Sequence, residues 1–503
     1  MTETVSCIVR NAEAVQTADI PLISIGELRD TVIGDVAKGS RIAAFFGQPI
    51  GNSIRLYAVL ARDEAGALAL LSADVEESFP SLTPDCPQAH WFEREIAEQW
   101  GIVPTGHPWL KPIRFHSSYR KGQTISGGSS NPVGITEFFQ VRGAEIHEVA
   151  VGPVHAGVIE PGHFRFQCHG ENVYHLEISL GYQHRGIERA MTTSPSKRRI
   201  HLIETAAGDT TIGHATAYCH AMETLAGCRI PARAAFLRGI ALELERLANH
   251  TGDLGALAGD VGYLPSMSYC GRIRGDFLNM TALLCGNRFG RGLIRWGGVG
   301  FEIDEPRIHE LLSRLDAASK DVTGAVELML NSPSVLARFE GAGTITPQTC
   351  RELGLVGPVV RACGERRDIR RDFPSGIFRF SQTPVSTWHT GDVFSRAIVR
   401  WLEIQRSIQF VRDQASMIPD GEHRVDTGEL QPGLMTVSLV EGWRGEICHI
   451  ATTDSEGRLA HYKIIDPSFH NWFGLAIALR GQQISDFPLC NKSFNLSYCG
   501  HDL

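Results

Sequence analysis

"PARAAFLRGIALELERLANHTGDLGALAGDVG", residues 231–262, reads as one long helix. Pro231 stands at its start, where a helix tolerates proline because the first N–H groups have no intrahelical partner. Leu237, Ile240, Leu244, Leu247 and Thr251 then fall on one face. The same period recurs at 308–330, through Leu311, Leu312, Leu315, Val322 and Leu328. It recurs again from 392 to about 413, through Val393, Ala397, Trp401, Ile404, Ile408 and Val411. A helical core therefore occupies the middle of the chain.

The flanks read differently. Upstream, "FFQVRGAEIHEVAVGPVHAGVIEPGHFRFQCHGENVYHLEISLG" alternates apolar and polar residues between turns, as half-buried strands do. About ninety residues at the C-terminal side read as short strands and turns. Residues 1–120 read as a small α+β unit. "RIAAFFG", "IRLYAVLA" and "ALALLSADV" are its strands, and "RDEAG" is the turn between the last two. A helix at "WFEREIAEQWG" ends at Gly101, where a C-cap glycine belongs. "KGQTISGGSSNP" is a Gly- and Ser-rich linker within 121–135. The expected fold class is α+β: module 1–120, linker 121–135, and a larger, mainly helical domain at 136–503 with β-rich ends.

Composition excludes several function classes. Of 503 residues, 43% are hydrophobic and 21% charged, an ordinary globular balance. A net charge of −8, with no basic arm, argues against nucleic-acid binding. The first residues lack a signal-peptide pattern, and no run of about 18 apolar residues encodes a membrane span. Any membrane connection is expected through partner subunits. Twelve cysteines are scattered with no Cys-x-x-Cys spacing, so most are expected to be buried small hydrophobes.

Five segments in order carry a family resemblance. "FEREIAEQWGIVPTGHPWLKPI" resembles the signature of the small N-terminal subunit of respiratory complex I. "GPVHAGVIEPGHFRF", "GYQHRGIERAM", "LELERLANHTGDLGALAGDVG" and "TGDVFSRAIVRWLEIQRSI" resemble the large-subunit family shared by complex I and the membrane-bound nickel–iron hydrogenases. Both modules in one chain resemble the hydrogenase-4 and formate hydrogenlyase type of large subunit.

The resemblance implies four cysteine thiolates around nickel. Matching "GHATAYCHAMETLAG" to the family puts the first pair at Ala207 and Thr210, with Thr205 in the place of an arginine. Matching the C-terminal "ALRGQQISDFPLCNKSFNLSYCGHDL" puts the second pair at Ser497 and Gly500, with Cys499 one residue out of register. An alternative match at "DPSFHNW" puts Ser468 in a ligand position. Under either match the thiolates are missing, and hydroxyls do not replace them for a soft metal. No metal site is therefore expected. The tyrosine that the complex I branch places near its quinone aligns with Gly208, so that site is also altered.

The candidate site residues follow from these matches. His155 and His163 lie in a β-hairpin, as proton donors and binders of a quinone-like head group or as turn histidines. Arg185 and Glu188 in "HRGIE" are a proton relay or a structural ion pair. Asp209 and His214 are a proton-transfer pair or the lining of a polar cavity. Arg444 in "GWRGE" holds an anion or carboxylate, or sits in a surface turn. The run "RACGERRDIRRDF" reads as a solvated face.

The implied function is a subunit of a membrane-associated oxidoreductase complex at the cytoplasmic face of the inner membrane. Its implied partners are a small subunit carrying an iron–sulfur cluster and antiporter-like membrane subunits. The chain itself would hold no cofactor, and its acceptor would be a quinone. A non-catalytic coupling or scaffold subunit is the alternative, and an active nickel–iron hydrogenase stands behind both.

Overall fold

A computed structural model of the chain describes residues 6–120, 134–155 and 159–503, so residues 121–133 of the expected linker lie outside it. The three N-terminal apolar runs form an antiparallel meander. Arg41–Ile50 pairs with Ser53–Arg62, which pairs with Ala67–Val75, and Cys7–Val9 adds to the far edge. Gly66, at φ 60°, closes the expected turn at "RDEAG". These strands are buried almost continuously, which explains why they read as unbroken apolar runs.

Helix Ile25–Ala37 packs on this sheet and is additional to the expected elements. Ser24 and Glu27 start it with a capping box. Helix His90–Trp100 ends at Gly101 in the left-handed region, as expected. It is buried on every side, so its carboxylates need partners. Glu93 accepts from the Ser81 and Thr83 hydroxyls and the Leu82 amide. Glu98 accepts from the amides of Arg114 and Phe115. The acids of "FEREIAEQW" therefore tie two loops to the helix.

The central helix runs Ala232–Asp260, directly after Pro231. Leu264–Cys285 and Val393–Ser416 pack along it, and Glu305–Leu330 closes the layer. Leu237, Ile240, Leu244, Leu247 and Thr251 are buried as expected. The other faces are buried too, because each charge there finds a partner on another element. Arg246 reaches Glu403 and two backbone carbonyls. Glu243 accepts from Arg370 and Ser407, and Arg400 donates to Asp253. Leaving one such partner unpaired costs about 3–5 kcal/mol, so these clusters survive only complete.

Two local expectations fail. Leu328 is 51% exposed, outside the apolar stripe of its helix. In "RACGERRDIRRDF", Arg361 and Arg370 are buried against Glu403, Glu441, Glu243 and Asp368, while Arg366 and Arg371 are exposed. Asp368 lies in the run itself, but Glu243, Glu403 and Glu441 lie on other elements, so the local charge pattern gives no sign of them.

The C-terminal sheet is a meander of Leu434–Gly442, Gly445–Thr453 and Leu459–Ile465. Ala14–Gln16 adds to its edge opposite Leu434–Thr436, stitching the start of the chain to its end. Beyond Ile465 the expected strands and turns are replaced by helices Pro467–Ala478 and Phe487–Phe494. Asp466 caps the first and Pro467 sits in its opening turn. That helix is buried on nearly every face, so no apolar stripe marks it as helical. Except for half-buried Cys7 and Cys228, the cysteines are buried, as expected. Among the described residues no helix is long and apolar enough to cross a membrane.

Candidate functional site

The loop Ala207–Thr210 joins a short helix, Ser196–Ile203, to helix Thr211–Leu225. Its backbone is pinned from three sides. Arg185 donates to the carbonyls of Thr205 and Ala206, at 2.7 and 3.0 Å. Asn249, from the central helix, donates to the carbonyl of Asp209 at 2.9 Å. The Trp443 indole N–H reaches the same carbonyl and the Thr210 hydroxyl, each at 3.1 Å.

The Asp209 carboxylate is held by Arg444 through two bonds of 2.6 and 2.7 Å. Arg444 also lies over the Trp443 ring, 3.9 Å from its centroid. Planar bidentate pairing of this kind is specific to arginine. Arg444 is buried, whereas the Asp209 side chain keeps about a third of its surface exposed. Of the two readings of Arg444, the geometry matches a holder of a carboxylate, and that carboxylate belongs to the protein.

Beneath the loop, Glu245 accepts from the amides of Ile212 and Gly213, at 2.7 and 3.1 Å. These belong to the first turn of a helix, where backbone donors lack intrahelical partners. Burial outweighs those bonds and pushes the Glu245 carboxyl up to about 8. A neutral acid therefore sits under Asp209 at pH 7.

The C-terminal segment closes the other side. Arg444 donates to the Asn495 carbonyl, and the Asn495 side chain donates to Asp253. The Gly208 amide meets the Cys499 thiol, so the two segments matched to the ligand pairs do converge. Cys499 lies 3.4 Å from the Ser497 hydroxyl and beside Glu160. Burial, with the Glu160 charge, pushes its thiol up to about 12. Glu160 also accepts from the Tyr498 amide at 3.0 Å, which brings the β-hairpin against the site.

These residues do not fit a thiolate-held nickel–iron pair. Ala207 and Gly500 offer no donor atom. The Thr210 hydroxyl is engaged by Trp443 and Arg444, and the Ser497 hydroxyl caps the Gly500 amide. Cys499 is a single thiol, and one thiolate cannot hold a two-metal centre. A Cβ at Gly500 would stand 2.7–2.9 Å from the Asp466 carboxyl, so a side chain there forces Asp466 to move. Among the described residues no three His, Cys, Asp or Glu side chains converge as metal ligands.

The other expected residues fall in three places. His214 lies below the loop with Asp466 at 3.1 Å and His449 at 3.0 Å, so it does not pair with Asp209. Glu188 accepts from Lys463 and the Ile464 amide, at 2.8 and 2.9 Å, and Lys463 also reaches Glu95. Arg185 and Glu188 thus serve different partners rather than each other. His163 opens strand His163–His169, with its Nδ1 atom 3.4 Å from the Gly152 carbonyl and its ring against Phe138. His155 packs against Phe164. Burial lowers both imidazoles from their usual range. Gly162, next to His163, abuts the Tyr498 ring, which is how the hairpin touches the site.

Glu160, Glu245, Asn249, Trp443, His449 and Asp466 were not among the expected site residues. Trp443 adjoins Arg444 in sequence, but the others lie on elements whose approach no local pattern encodes.

The chain matches the family described as "Respiratory-chain NADH dehydrogenase, 49 Kd subunit" over residues 260–434. It matches the corresponding 30 Kd subunit family over residues 49–123. It is 28% identical over 485 residues to formate hydrogenlyase subunit 5 of Escherichia coli (strain K12), covering 92% of this chain and 84% of that one. It is 29% identical over 446 residues to hydrogenase-4 component G of the same organism, covering 86% and 76%. It is 30% identical over 350 residues to the carbon monoxide-induced hydrogenase of Rhodospirillum rubrum, covering 69% and 97%. The chain belongs to the hydrogenase-4 and formate hydrogenlyase family of large subunits, in which modules akin to the 30 and 49 Kd subunits of respiratory NADH dehydrogenase are fused.

Proposed function

We propose that this chain is the large subunit of a membrane-attached oxidoreductase complex that holds no nickel–iron centre and passes electrons to a small acceptor. The observation that carries the reading is the Arg444–Asp209 pair. It stands where segments 207–210 and 495–500 meet, a place relatives of the hydrogenase type would line with thiolates. A partner subunit supplies the electrons from an iron–sulfur cluster, and membrane subunits of the antiporter type anchor the complex.

The acceptor is a quinone. Its reduction takes two electrons from the partner's cluster and two protons from this chain, and yields a quinol. Glu245 is a neutral acid under the Asp209 loop. Asp209, partly exposed and gripped by Arg444, lies at the same place. His163 and His155 lie on the hairpin whose Glu160 and Gly162 touch Tyr498 beside the site. Arg185 acts indirectly, by fixing the loop carbonyls, and Glu188 by fixing the sheet edge at Ile464.

One feature favours a second reading, a non-catalytic coupling subunit. Asp209, Arg444, Trp443 and Asn249 satisfy one another, so the loop is complete without a ligand. The deciding experiment reduces the clusters of the purified complex and adds a short-chain quinone without oxygen. The oxidoreductase reading expects one quinol per two electrons lost, slowed at least tenfold by Arg444→Ala. Clusters that stay reduced in the presence of quinone would leave the coupling reading.

A further inference from the structure

Behind the site runs a chain of four buried side chains. The Asp466 carboxyl meets His214 Nε2 at 3.1 Å. His214 Nδ1 meets His449 Nε2 at 3.0 Å, and His449 Nδ1 meets the Tyr462 hydroxyl at 2.7 Å. Asp466, His214 and His449 are wholly buried and Tyr462 is 1% exposed. The four come from three elements and one cap: the Thr211–Leu225 helix, strands Gly445–Thr453 and Leu459–Ile465, and the start of Pro467–Ala478.

Hydrogen-bond arithmetic fixes how this chain can be protonated. Two imidazole nitrogens facing each other share one proton, so one donates and the other accepts. With Asp466 ionised, His214 must donate from Nε2 to it. Its Nδ1 then accepts from His449 Nε2, and His449 Nδ1 accepts from the Tyr462 hydroxyl. Every donor in that arrangement has an acceptor. One extra proton also fits. His214 becomes an imidazolium that donates from both nitrogens, to Asp466 and to His449 Nε2. His449 shifts its own proton to Nδ1 and donates to the Tyr462 oxygen. The ring nitrogens and the Asp466 carboxyl stay paired and the new charge lies against a carboxylate, at the cost of the Tyr462 hydroxyl proton, which gives up His449 as its acceptor.

We infer that Asp466, His214, His449 and Tyr462 form a buried store for one proton, set against the Asp209–Arg444 site. The contact with the site is direct, since Asp466 borders Gly500 and senses the Arg444 charge. The other titratable groups facing the line are His470 from helix Pro467–Ala478, Tyr218 and Cys219 from helix Thr211–Leu225, and Cys448 from the strand. Burial keeps His470 neutral and Tyr218 and Cys219 protonated. Among the described residues, Arg444 is the fixed charge that reaches Asp466 from outside the line. The four residues act as positioning residues. They hold a proton close to the reacting site without touching the acceptor. What the proton serves rests on the function proposed above, but its storage does not.

The test is magic-angle-spinning nitrogen NMR of the intact resting complex, labelled at histidine and titrated from pH 5 to 9. His214→Gln and His449→Gln assign the two rings. The expected result is one shared midpoint, at which His214 becomes an imidazolium and His449 switches tautomer from Nε2–H to Nδ1–H. His449→Phe removes the acceptor for the second His214 proton and should lower that midpoint by about one pH unit, a tenfold change. His449→Gln keeps an acceptor and should restore it. Separate midpoints, an unchanged His449 tautomer, or rings that do not titrate would overturn the inference. No acceptor is present in this titration, so a coupled midpoint stands even if quinone reduction is never seen.

Discussion

Arg444 grips Asp209 with two bonds, at 2.6 and 2.7 Å, across 235 residues of sequence. The guanidinium sits on the Trp443 ring and the carboxylate on the loop 207–210. The pair ties that loop to the C-terminal segment. Asp209→Ala leaves Arg444 buried without its carboxylate and should cost about 2–4 kcal/mol. Arg444→Lys keeps the charge but loses the fork, and should cost about 1–2 kcal/mol. Denaturant unfolding of the two variants should rank them in that order.

Glu245 gives a pH dependence with a definite sign. Its carboxyl is raised from 4.5 in the unfolded reference to about 8 in the folded chain. Between these values the folded state holds a proton that the unfolded state has released. Stability contributed by this group therefore falls as pH rises from about 5 to 8, at up to about 1.4 kcal/mol per pH unit, and levels off above. Glu245→Gln cannot ionise. Its unfolding free energy should be flatter across that range and should exceed the parent's at pH 8.

Gly500 is locked by Asp466. A Cβ there would approach the carboxyl to 2.7–2.9 Å. Gly500→Ala should destabilise the chain by about 1–3 kcal/mol through overpacking. Restoring a cysteine at this position should not by itself restore a metal site. Thermal unfolding of Gly500→Ala with and without Asp466→Ser checks the cause, since shrinking Asp466 should recover part of the loss.

Arg185 supports the loop from below through the carbonyls of Thr205 and Ala206. Arg185→Ala should leave the rest of the fold intact while loosening residues 205–210. Hydrogen exchange should show faster amide exchange confined to that loop and the first turn of helix Thr211–Leu225. Uniformly faster exchange across the central helix would contradict a local role.

Much of the fold is legible from periodicity and punctuation. Pro231 and the apolar face from Leu237 to Thr251 place the central helix, and Gly101 places the end of another. Helix Ile25–Ala37 carried a readable capping box at Ser24 and Glu27 that the apolar pattern overshadowed. Helix Pro467–Ala478 was hidden because burial on nearly every face erases the stripe, although Asp466 and Pro467 marked its start. At the site, Asp209 and Arg444 were legible through family segments. Their pairing was not, and neither was the partnership of His214 with Asp466 and His449, more than 230 residues away. Local sequence encodes elements, whereas such partners are fixed by how the sheet packs on the helix.

This member of the family is proposed to work without nickel. Elemental analysis of the natively purified complex, normalised to this chain, tests it most directly. The expected result is no nickel, and iron at the level of the partner's clusters alone. One nickel per chain would contradict it and restore a hydrogenase centre built on ligands other than the four expected thiolates.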